Sequence, residues 1–278
     1  MLTRGLVTRF KVAVPVPVKA SIRRSVGRLT GILRKNSFEC PICKSRVAAF
    51  VPLSTALPTL QRDLLAAGHD LEAAETLNKD AYLCPVCESS DRDRLYALWI
   101  SHWLQRASRQ TRPKLVDFAP SASLASFLRK RFDYRSADLF SPSADDRVDL
   151  QNMSVYADAR FDAFLCSHVL EHVPDDQKAM AELFRILAPG GWGIAMVPIN
   201  SHSSETDEEI GPLSDRERLR RFGQADHLRF YAAEDFKQRL TRAGFEVECV
   251  ASAAITGAGG ERFGIHARSV LYVVHKAM

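Results

Sequence analysis

The most informative pattern of apolar and polar positions lies between residues 161 and 200. Residues 161–166 (FDAFLC) form a short apolar run of strand length, and a polar cluster at residues 167–172 (SHVLEH) follows it directly. A second apolar run at residues 192–199 predicts another buried strand. The segment therefore predicts half of an α/β parallel-sheet unit, with polar side chains at the carboxyl end of its first strand. In open α/β sheets, ligands bind at that end.

A helix between these two strands is predicted from its ends and from its apolar face. Pro174 disfavours helix immediately before it, while Asp175 and Asp176 offer a cap and negative charge to the helix that follows. Pro189-Gly190-Gly191 predicts the end of that helix, because glycine adopts the left-handed turn that closes many helices. The apolar stripe at helical spacing consists of Met180, Leu183, Phe184 and Leu187.

Strands and helices alternate along the chain after residue 114, and this order favours an α/β fold with a parallel sheet covered by helices. Two more helices are predicted at residues 123–132 and 233–243. The other predicted strands are residues 114–118, 134–139, 148–150, 245–251 and 269–275.

Four of the six cysteines form two identical C-P-x-C turns, Cys40–Cys43 and Cys84–Cys87. Two such turns supply four sulfur ligands, which predicts a structural zinc site with Cys40, Cys43, Cys84 and Cys87 as the metal ligands. Two disulfides are the alternative, but a chain without a secretion signal is expected in a reducing compartment. A redox C-x-x-C pair is disfavoured because two facing copies describe a ligand set better. Cys166 and Cys249 lie in predicted strands and are expected to be core thiols.

The cysteine turns delimit a small zinc-ribbon-like module that precedes the α/β domain. The long insert between them predicts a helix at residues 59–77, and residues 92–107 predict a connecting helix with Leu95, Leu98, Trp99 and Trp103 on one side. The expected division is a basic arm at residues 1–36, the zinc module at residues 37–110 and the α/β domain at residues 111–278.

Charge is unevenly distributed along the 278 residues. The first 35 residues hold nine Lys or Arg and no acid, so the remaining body carries a net charge of about −4 although the whole chain is +5. Three interpretations of the arm stay open: a partly disordered segment with an amphipathic helix near residues 22–33, a contact with anionic lipid or RNA, or a transit peptide. No apolar run reaches the length of a membrane span, so the expected location is cytoplasmic, with peripheral membrane contact as an option.

Several motifs together resemble a known enzyme family. They are D-F-A-P (117–120), S-H-V-L-E-H-V-P-D-D (167–176), L-A-P-G-G-W-G (187–193) and F-G-Q-A-D-H-L-R-F-Y (222–231), followed by A-G-F (243–245). Residues 114–278 thereby resemble class I S-adenosylmethionine-dependent methyltransferases of the broad type 11 group, in particular a bacterial subgroup with an N-terminal four-cysteine module. The resemblance implies a Rossmann-like seven-stranded sheet of order 3-2-1-4-5-7-6, whose last strand runs antiparallel.

The resemblance assigns cofactor-binding positions one residue at a time. The turn after strand one is acidic-x-Gly-x-Gly-x-Gly in the family; here Asp117 keeps the acid, and Ala119, Pro120 and Ser121 stand in the altered turn. Small residues at this turn still let the backbone approach a ligand closely. The remaining positions implied by the family are Asp138 for the ribose hydroxyls, Asp149 or Asn152 for the adenine, and Ser167 with His168 beside the transferred methyl group. For Asp149 and Asn152 a plain turn role is the alternative.

Three histidines are candidates for a catalytic base: His168, His172 and His227. Arg229 is a candidate for neutralising an acidic acceptor, with a structural turn as the alternative for His227 and Arg229. His168 to His172 also matches the H-x-x-E-H pattern of zinc proteases. That interpretation is disfavoured because Pro174 and the preceding strand leave no continuous helix.

The expected function is methyl transfer from S-adenosylmethionine to an unidentified acceptor, with a small molecule or an envelope saccharide or lipid intermediate as the first choice. An RNA methyltransferase is the first alternative, since some ribosomal RNA methyltransferases carry a four-cysteine zinc site. A catalytically silent binding or scaffold protein is the second, because the glycines of the cofactor turn are replaced.

Overall fold

A computed structural model describes residues 38–106 and 112–278. Within these ranges a seven-stranded sheet forms the centre, and its strands lie in the order β5-β4-β3-β6-β7-β11-β10. Neighbouring strands from β5 to β7 are parallel, and β11 pairs antiparallel with both β7 and β10. Numbered from the first strand of the α/β domain, this order is 3-2-1-4-5-7-6, so the predicted fold is confirmed.

The strands and helices have the following bounds. The strands are β1 Phe38–Glu39, β2 Arg46–Val47, β3 Lys114–Phe118, β4 Asp133–Asp138, β5 Asp146–Arg147, β6 Phe161–Ser167, β7 Leu187–Met196, β8 Asp207–Glu208, β9 Arg229–Phe230, β10 Glu246–Ala251 and β11 Val270–His275. The helices are α1 Leu53–Ala56, α2 Pro58–Ala66, α3 Asp91–Arg106, α4 Ala122–Leu128, α5 Asp176–Ile186, α6 Asp215–Phe222, α7 Ala233–Arg242 and α8 Ser252–Thr256. Three 3-10 segments complete the description: Leu71–Ala73, Leu170–His172 and Gly257–Phe263.

The central strands are apolar and buried on both faces, as expected for parallel strands covered by helices. In β6 every residue from Ala163 to Cys166 is fully buried, and Leu115 and Val116 of β3 are equally inaccessible. Helix α5 begins where the sequence predicts, because the Asp175 carboxylate accepts a hydrogen bond from the backbone N–H of Lys178. Its apolar side packs Met180 and Leu183 into the same core.

Several predicted boundaries are wrong for local reasons. Strand three lies at Asp146–Arg147 rather than at residues 148–150, because the chain turns at Asp149, whose carbonyl accepts from the N–H of Asn152. The insert helix predicted at residues 59–77 ends at Ala66, where Gly68 adopts a left-handed φ of 87° and closes the turn. Leu187 begins strand β7 rather than ending helix α5.

Helix α3 connects the cysteine turns to the sheet, as the sequence predicts. Trp99 and Trp103 both pack against Trp192 of β7, with ring centroids 4.8 and 5.1 Å apart. The apolar residues Leu95 and Ile100 are fully buried in the same core as the sheet. Of the two remaining cysteines, Cys166 is buried as predicted, but Cys249 is exposed on the edge strand β10, so that expectation is wrong.

The N-terminal basic arm, with its predicted helix at residues 22–33, lies outside the described residues. In the ranges that the structure does describe, none of the helices combines the length and apolarity needed to cross a membrane.

Candidate functional site

The predicted cofactor positions lie at one edge of the sheet. In the pairing of β3 with its neighbours, Phe118 is opposite Ala137 of β4 and Cys166 of β6. Asp117, Asp138 and Ser167 therefore sit at the carboxyl ends of three adjacent parallel strands, which are spaced about 4.8 Å apart. The sheet thus brings together residues from three separate parts of the sequence at the edge where α/β folds bind ligands.

Asp117 is a buried carboxylate at the end of β3, with 3% of its surface exposed. The hydroxyl of Tyr134 donates a hydrogen bond to its Oδ2 at 3.0 Å. Burial raises the pKa of Asp117 to about 7, although the Tyr134 hydrogen bond acts in the opposite direction. A carboxyl group in this state is close to half-protonated near neutral pH.

The altered turn keeps a glycine-like backbone without glycine. Ala119 has a φ of 51°, in the left-handed region, and its N–H donates to the carbonyl of Ala137 at 2.9 Å. Pro120 follows and is half-buried. Ser121 is the N-cap of α4, and its hydroxyl accepts a hydrogen bond from the N–H of Leu124 at 3.4 Å. Ala119 therefore adopts a backbone conformation that favours glycine, and the first serine of the turn has a capping role.

The acids after β4 and β5 organise the loops at this edge. Asp138 Oδ1 accepts the backbone N–H groups of Phe140 and Ser141, both at 2.7 Å. Asp149 Oδ1 accepts the N–H of Gln151 at 2.9 Å, while Asn152 is exposed. The turn role that the sequence left open for Asp149 is therefore present in the structure.

Two side chains of α3 contact the segment that follows β6. The Tyr96 hydroxyl lies 2.9 Å from Oγ of Ser167, and the Arg92 guanidinium donates to the imidazole of His168. His168 has a left-handed φ of 56°, and its N–H donates to the carbonyl of Met196. Burial, reinforced by the positive charge of Arg92, lowers the pKa of His168 to about 4, so its imidazole is neutral near pH 7.

Beyond His168, a carboxylate and two further imidazoles converge. Glu171 and His227 are 0% and 2% exposed, respectively. The rings of His172 and His227 meet edge to face, with centroids 4.7 Å apart. Oε1 of Glu171 lies 3.3 Å from His168 Nδ1 and 4.0 Å from His172 Nε2. The three histidines predicted as candidate bases are thus brought to one place, around a glutamate that the predicted site did not include.

The two buried members of this cluster have shifted pKa values. Burial alone would raise the pKa of Glu171, but contact with His168 and the field of the imidazoles outweigh it and lower that pKa to about 2. Burial lowers the pKa of His227. At neutral pH the cluster therefore contains the ionised carboxylate of Glu171 next to the neutral imidazole of His168.

Arg229 has a structural role that excludes the predicted contact with an acidic acceptor. It is fully buried, and its guanidinium donates to three backbone carbonyls and to the carboxylate of Glu208. The three carbonyls belong to Leu170, Val173 and Pro174. Every part of the guanidinium is thus used to fix the loop that carries Glu171.

The same loop excludes the zinc-protease interpretation. Leu170–His172 is a single 3-10 turn after a strand, and α5 begins only at Asp176. His168 and His172 therefore do not lie one turn apart on a helix, as that signature requires.

The four cysteines of the C-P-x-C turns come together as predicted. Cys40 Sγ is 3.7 Å from Cys87 Sγ, and Cys43 Sγ is 3.8 Å from Cys84 Sγ. All four sulfurs lie within 4.8 Å of one another. Zinc–sulfur bonds of about 2.3 Å in a tetrahedron place sulfurs about 3.8 Å apart. The donor set therefore fits zinc in both chemistry and spacing.

The two turns also have matching backbone geometry. The carbonyl of Cys40 accepts the N–H of Lys44, and that of Cys84 accepts the N–H of Glu88, both at 2.9 Å. Lys44 and Glu88 have nearly the same left-handed φ, 60° and 61°. The shared C-P-x-C sequence thus gives two knuckles with the same backbone geometry, whose sulfurs face each other.

Three residues of the site were missed by sequence reasoning. Arg92 contacts His168 and Tyr96 contacts Ser167, which lie 76 and 71 positions away in the sequence. A local sequence pattern cannot predict contacts between residues so far apart. Glu171 was visible inside the H-x-x-E-H pattern, but its burial among three imidazoles depends on the packing of the segment around His227.

The chain matches one family profile and is similar to several solved structures. A profile described as "Methyltransferase domain" matches residues 79–250. A comparison with curated proteins found no match. Among solved structures, a SAM-dependent methyltransferase from Archaeoglobus fulgidus is 10% identical, with 68% of this chain and 96% of that chain covered and a TM-score of 0.42. An S-adenosylmethionine-dependent methyltransferase from Mesorhizobium loti is 16% identical, with 64% and 96% covered and a TM-score of 0.39.

A third solved structure is 1,6-didemethyltoxoflavin-N1-methyltransferase from Burkholderia thailandensis, with 1,6-didemethyltoxoflavin and S-adenosylhomocysteine bound. It is 15% identical, with 84% of this chain and 95% of that chain covered and a TM-score of 0.40. Since the family profile spans more than half of the 278 residues, the chain belongs to the methyltransferase domain family.

Proposed function

We propose that this S-adenosylmethionine-dependent methyltransferase acts on a small molecule or on an envelope saccharide or lipid intermediate. The observation that carries the proposal is the convergence of the cofactor positions and the histidine cluster at one edge of the sheet. The methyl donor would lie over Asp117, Asp138 and Ser167, and the acceptor would approach from the side of His168. Methyl transfer is an in-line displacement, so the main task of the protein is to align donor and acceptor.

The cofactor assignment is testable at Asp138. Its carboxylate would accept the two ribose hydroxyls, and Asp138→Asn keeps the loop hydrogen bonds while removing the charge. Isothermal titration of the wild-type protein with S-adenosylhomocysteine should show binding, and Asp138→Asn should weaken it at least about tenfold, equivalent to about 1.4 kcal/mol. Asp133→Asn, at the opposite end of the same strand, is the matched control. No heat at protein concentrations near about 100 μM would contradict cofactor binding and favour the silent scaffold.

We propose that a neutral imidazole of the cluster accepts the proton of the acceptor. A neutral ring is the form that a base requires, and burial holds the pKa of His168 low enough to keep it neutral. Replacement of His168 by Gln should lower kcat more than it changes the affinity for the cofactor. An unchanged kcat would remove His168 from the reaction and leave His172 and His227 as the candidates.

The four cysteines are proposed to hold a structural zinc ion. Four sulfur ligands close the coordination sphere, so the metal would stabilise the module rather than take part in chemistry. Freshly purified protein should contain at least one zinc per chain, and the double variant Cys40→Ser/Cys43→Ser should lose it. Wild-type protein with well below one equivalent of zinc would contradict the proposal.

An RNA acceptor is the alternative that the basic arm favours, although the mildly acidic body of the chain argues against a broad phosphate-binding face. Deleting residues 1–36 should abolish salt-sensitive association with RNA or with anionic vesicles if the arm binds phosphate. To identify the acceptor, labelled S-adenosylmethionine would be incubated with cell extract and the labelled species fractionated into small molecules, lipids and RNA. Label confined to RNA would overturn the small-molecule or envelope acceptor.

A further inference from the structure

The cluster behind His168 contains buried polar atoms that lack partners. Within the described part of the chain, neither carboxylate oxygen of Glu171 has a hydrogen-bond donor, although His168 Nδ1 lies 3.3 Å from Oε1. Nε2 of His227 is also without a partner there. A buried ionised group without a partner costs several kcal/mol, so proteins rarely keep one without a use.

In each of the two imidazoles that join this carboxylate, Nδ1 faces a backbone carbonyl. Nδ1 of His227 is 2.9 Å from the carbonyl of Phe222, and Nδ1 of His172 is 3.3 Å from the carbonyl of Asp226. A ring nitrogen that donates to a carbonyl carries its proton there, so Nε2 is the nitrogen that each ring can offer to a metal ion. Histidines that ligate metals are held in the same way, with the other ring nitrogen donating to a carbonyl or carboxylate.

The donor atoms also have the spacing of a metal site. One carboxylate oxygen of Glu171 and one nitrogen from each of His172 and His227 lie within 4.8 Å of one another. Hydrogen bonds hold the supporting loops in place. The N–H of Leu228 donates to the Glu171 carbonyl at 2.9 Å, and the Arg229 guanidinium donates to the neighbouring carbonyls of Leu170 and Val173. Little rearrangement is needed for all three groups to reach one ion.

We propose that Glu171, His172 and His227 form a second metal site, separate from the cysteine knuckles, that binds a divalent first-row transition ion such as zinc. Two imidazoles and one carboxylate suit these ions, and three protein ligands leave a coordination position open. The ligand set differs from the protease pattern, because it uses His227 from a distant segment in place of His168.

The open coordination position would let the metal bind the methyl acceptor. This role rests on the methyl transfer proposed above. An acceptor hydroxyl or carboxylate oxygen would bind there, and coordination would lower the pKa of a hydroxyl. His172 and His227 would then be ligands, and His168 would be the imidazole left to take the proton. The acceptor class is accordingly an oxygen nucleophile.

Metal uptake can be measured without cofactor or acceptor, so it is independent of whether methyl transfer is found. Full-length protein with its cysteine site filled would be titrated with zinc by calorimetry, and the bound metal counted after dialysis. We expect one further equivalent in the wild type. Glu171→Gln and His172→Gln should lose affinity by more than the 10–100-fold typical of losing an outer-shell partner. His202→Gln, at a histidine whose side chain is 67% exposed, should behave as wild type.

Cobalt distinguishes the two sites by their ligands. Cobalt in the cysteine site should give strong thiolate charge-transfer absorption, and cobalt in the second site should add only weak visible bands. A wild type that takes up no metal beyond the cysteine site, or a Glu171→Gln variant that takes up as much as the wild type, would overturn the proposal.

Loss of folding is separated from loss of metal by thermal unfolding. Without added metal, the Tm of Glu171→Gln compared with that of the wild type measures the effect of the substitution on folding alone. Added zinc should raise the Tm of the wild type and leave that of Glu171→Gln unchanged. His172 is about one-third exposed, so His172→Gln carries the test if Glu171→Gln does not fold. Equal zinc-induced Tm shifts in wild type and either variant would also overturn the proposal.

Discussion

At the scale of single residues, Ala119 is the point where this chain departs most clearly from its family. It adopts the left-handed φ of 51° that the family assigns to glycine, yet it carries a Cβ. For an L-residue other than glycine this conformation costs about 1–2 kcal/mol. Ala119 therefore places backbone strain beside the candidate cofactor site.

Ala119→Gly should relieve this strain. We expect the free energy of unfolding to rise by about 0.5–1 kcal/mol, since the steric gain exceeds the entropy that glycine adds to the unfolded chain. Urea denaturation would measure the change. Ala122→Gly, at an exposed helical position three residues further on, is the control and should be neutral or destabilising. A loss of stability in Ala119→Gly equal to that of the control would contradict the strain argument.

Asp117 predicts a pH dependence of stability. Its pKa is about 7 in the folded protein and about 3.9 when unfolded, so the folded state binds more protons between these values. Stability should therefore fall as the pH rises from about 4 to about 7. Asp117→Asn should remove this slope and gain up to roughly 4 kcal/mol over the wild type at pH 8, at about 1.4 kcal/mol per pKa unit.

Unfolding curves at a series of pH values would test this expectation for Asp117. The gain should vanish near pH 4, where the wild-type carboxyl is protonated in the folded state. Asp133→Asn, at an exposed position on the neighbouring strand, should leave the slope as in the wild type. A slope between pH 4 and pH 7 that survives Asp117→Asn would assign the dependence to another group.

At the scale of secondary-structure elements, one cross-strand pair between β6 and β7 is packed especially closely. Gly193 of β7 is directly opposite Phe164 of β6. A Cβ added at Gly193 would lie 2.2 Å from Cζ of Phe164, so the phenyl ring covers the glycine. The glycine of the L-A-P-G-G-W-G motif therefore has a packing role in addition to any role in the turn.

Gly193→Ala should destabilise the protein by about 1–3 kcal/mol, because the ring cannot move within a packed core without strain. Combining it with Phe164→Leu should recover part of the loss, and a double-mutant cycle would measure the coupling. Gly259→Ala is the control, since within the described residues nothing lies within 4 Å of an added Cβ there. Additive effects of the two core substitutions would contradict the contact.

At the scale of the whole molecule, Arg94 joins the cysteine module to the far end of the chain. It is fully buried, and its guanidinium carbon lies 3.9 Å from the centroid of the Phe50 ring. The guanidinium donates to backbone carbonyls on both sides of the junction. These carbonyls belong to Ala81, Tyr82, Ser89, Phe263 and Gly264. The module and the loop before β11 are thereby held as one body.

Arg94→Met should cost at least about 3 kcal/mol, because it leaves several buried carbonyls without donors. Arg94→Lys should recover only part of this loss, since an ammonium cannot reproduce the planar set of five donors. Chemical denaturation would measure both, with Arg62→Met as the control, at an arginine whose side chain is 71% exposed. If Arg94→Met unfolds as the wild type does, the carbonyl contacts do not hold the module in place.

The alternation of strands and helices was predictable from sequence because its signals are local, and the sheet order followed from the resemblance to the methyltransferase family. The apolar runs, the Asp175 cap and the repeated C-P-x-C turns each depend on a few neighbouring residues, and their order along the chain leaves few sheet topologies. The cysteine cluster was equally predictable from sequence, since the two C-P-x-C turns fold with the same backbone geometry. Boundaries were less predictable, and strand three was misplaced because buried Val148 and Leu150 lie in a turn.

The sequence by itself predicted the α/β sheet, the cluster of four cysteines and the three histidines that lie around Glu171. Only the tertiary structure decided that Arg229 donates hydrogen bonds to the loop after β6 and that Arg92 contacts His168 across 76 positions. It also decided that Glu171 is buried beside His172 and His227. These outcomes depend on which distant backbone segments pack together and on which polar atoms remain unpaired after packing. Periodicity and motif spacing describe only residues that are close together along the chain. They therefore predict neither the packing of distant segments nor the polar atoms that packing leaves unpaired.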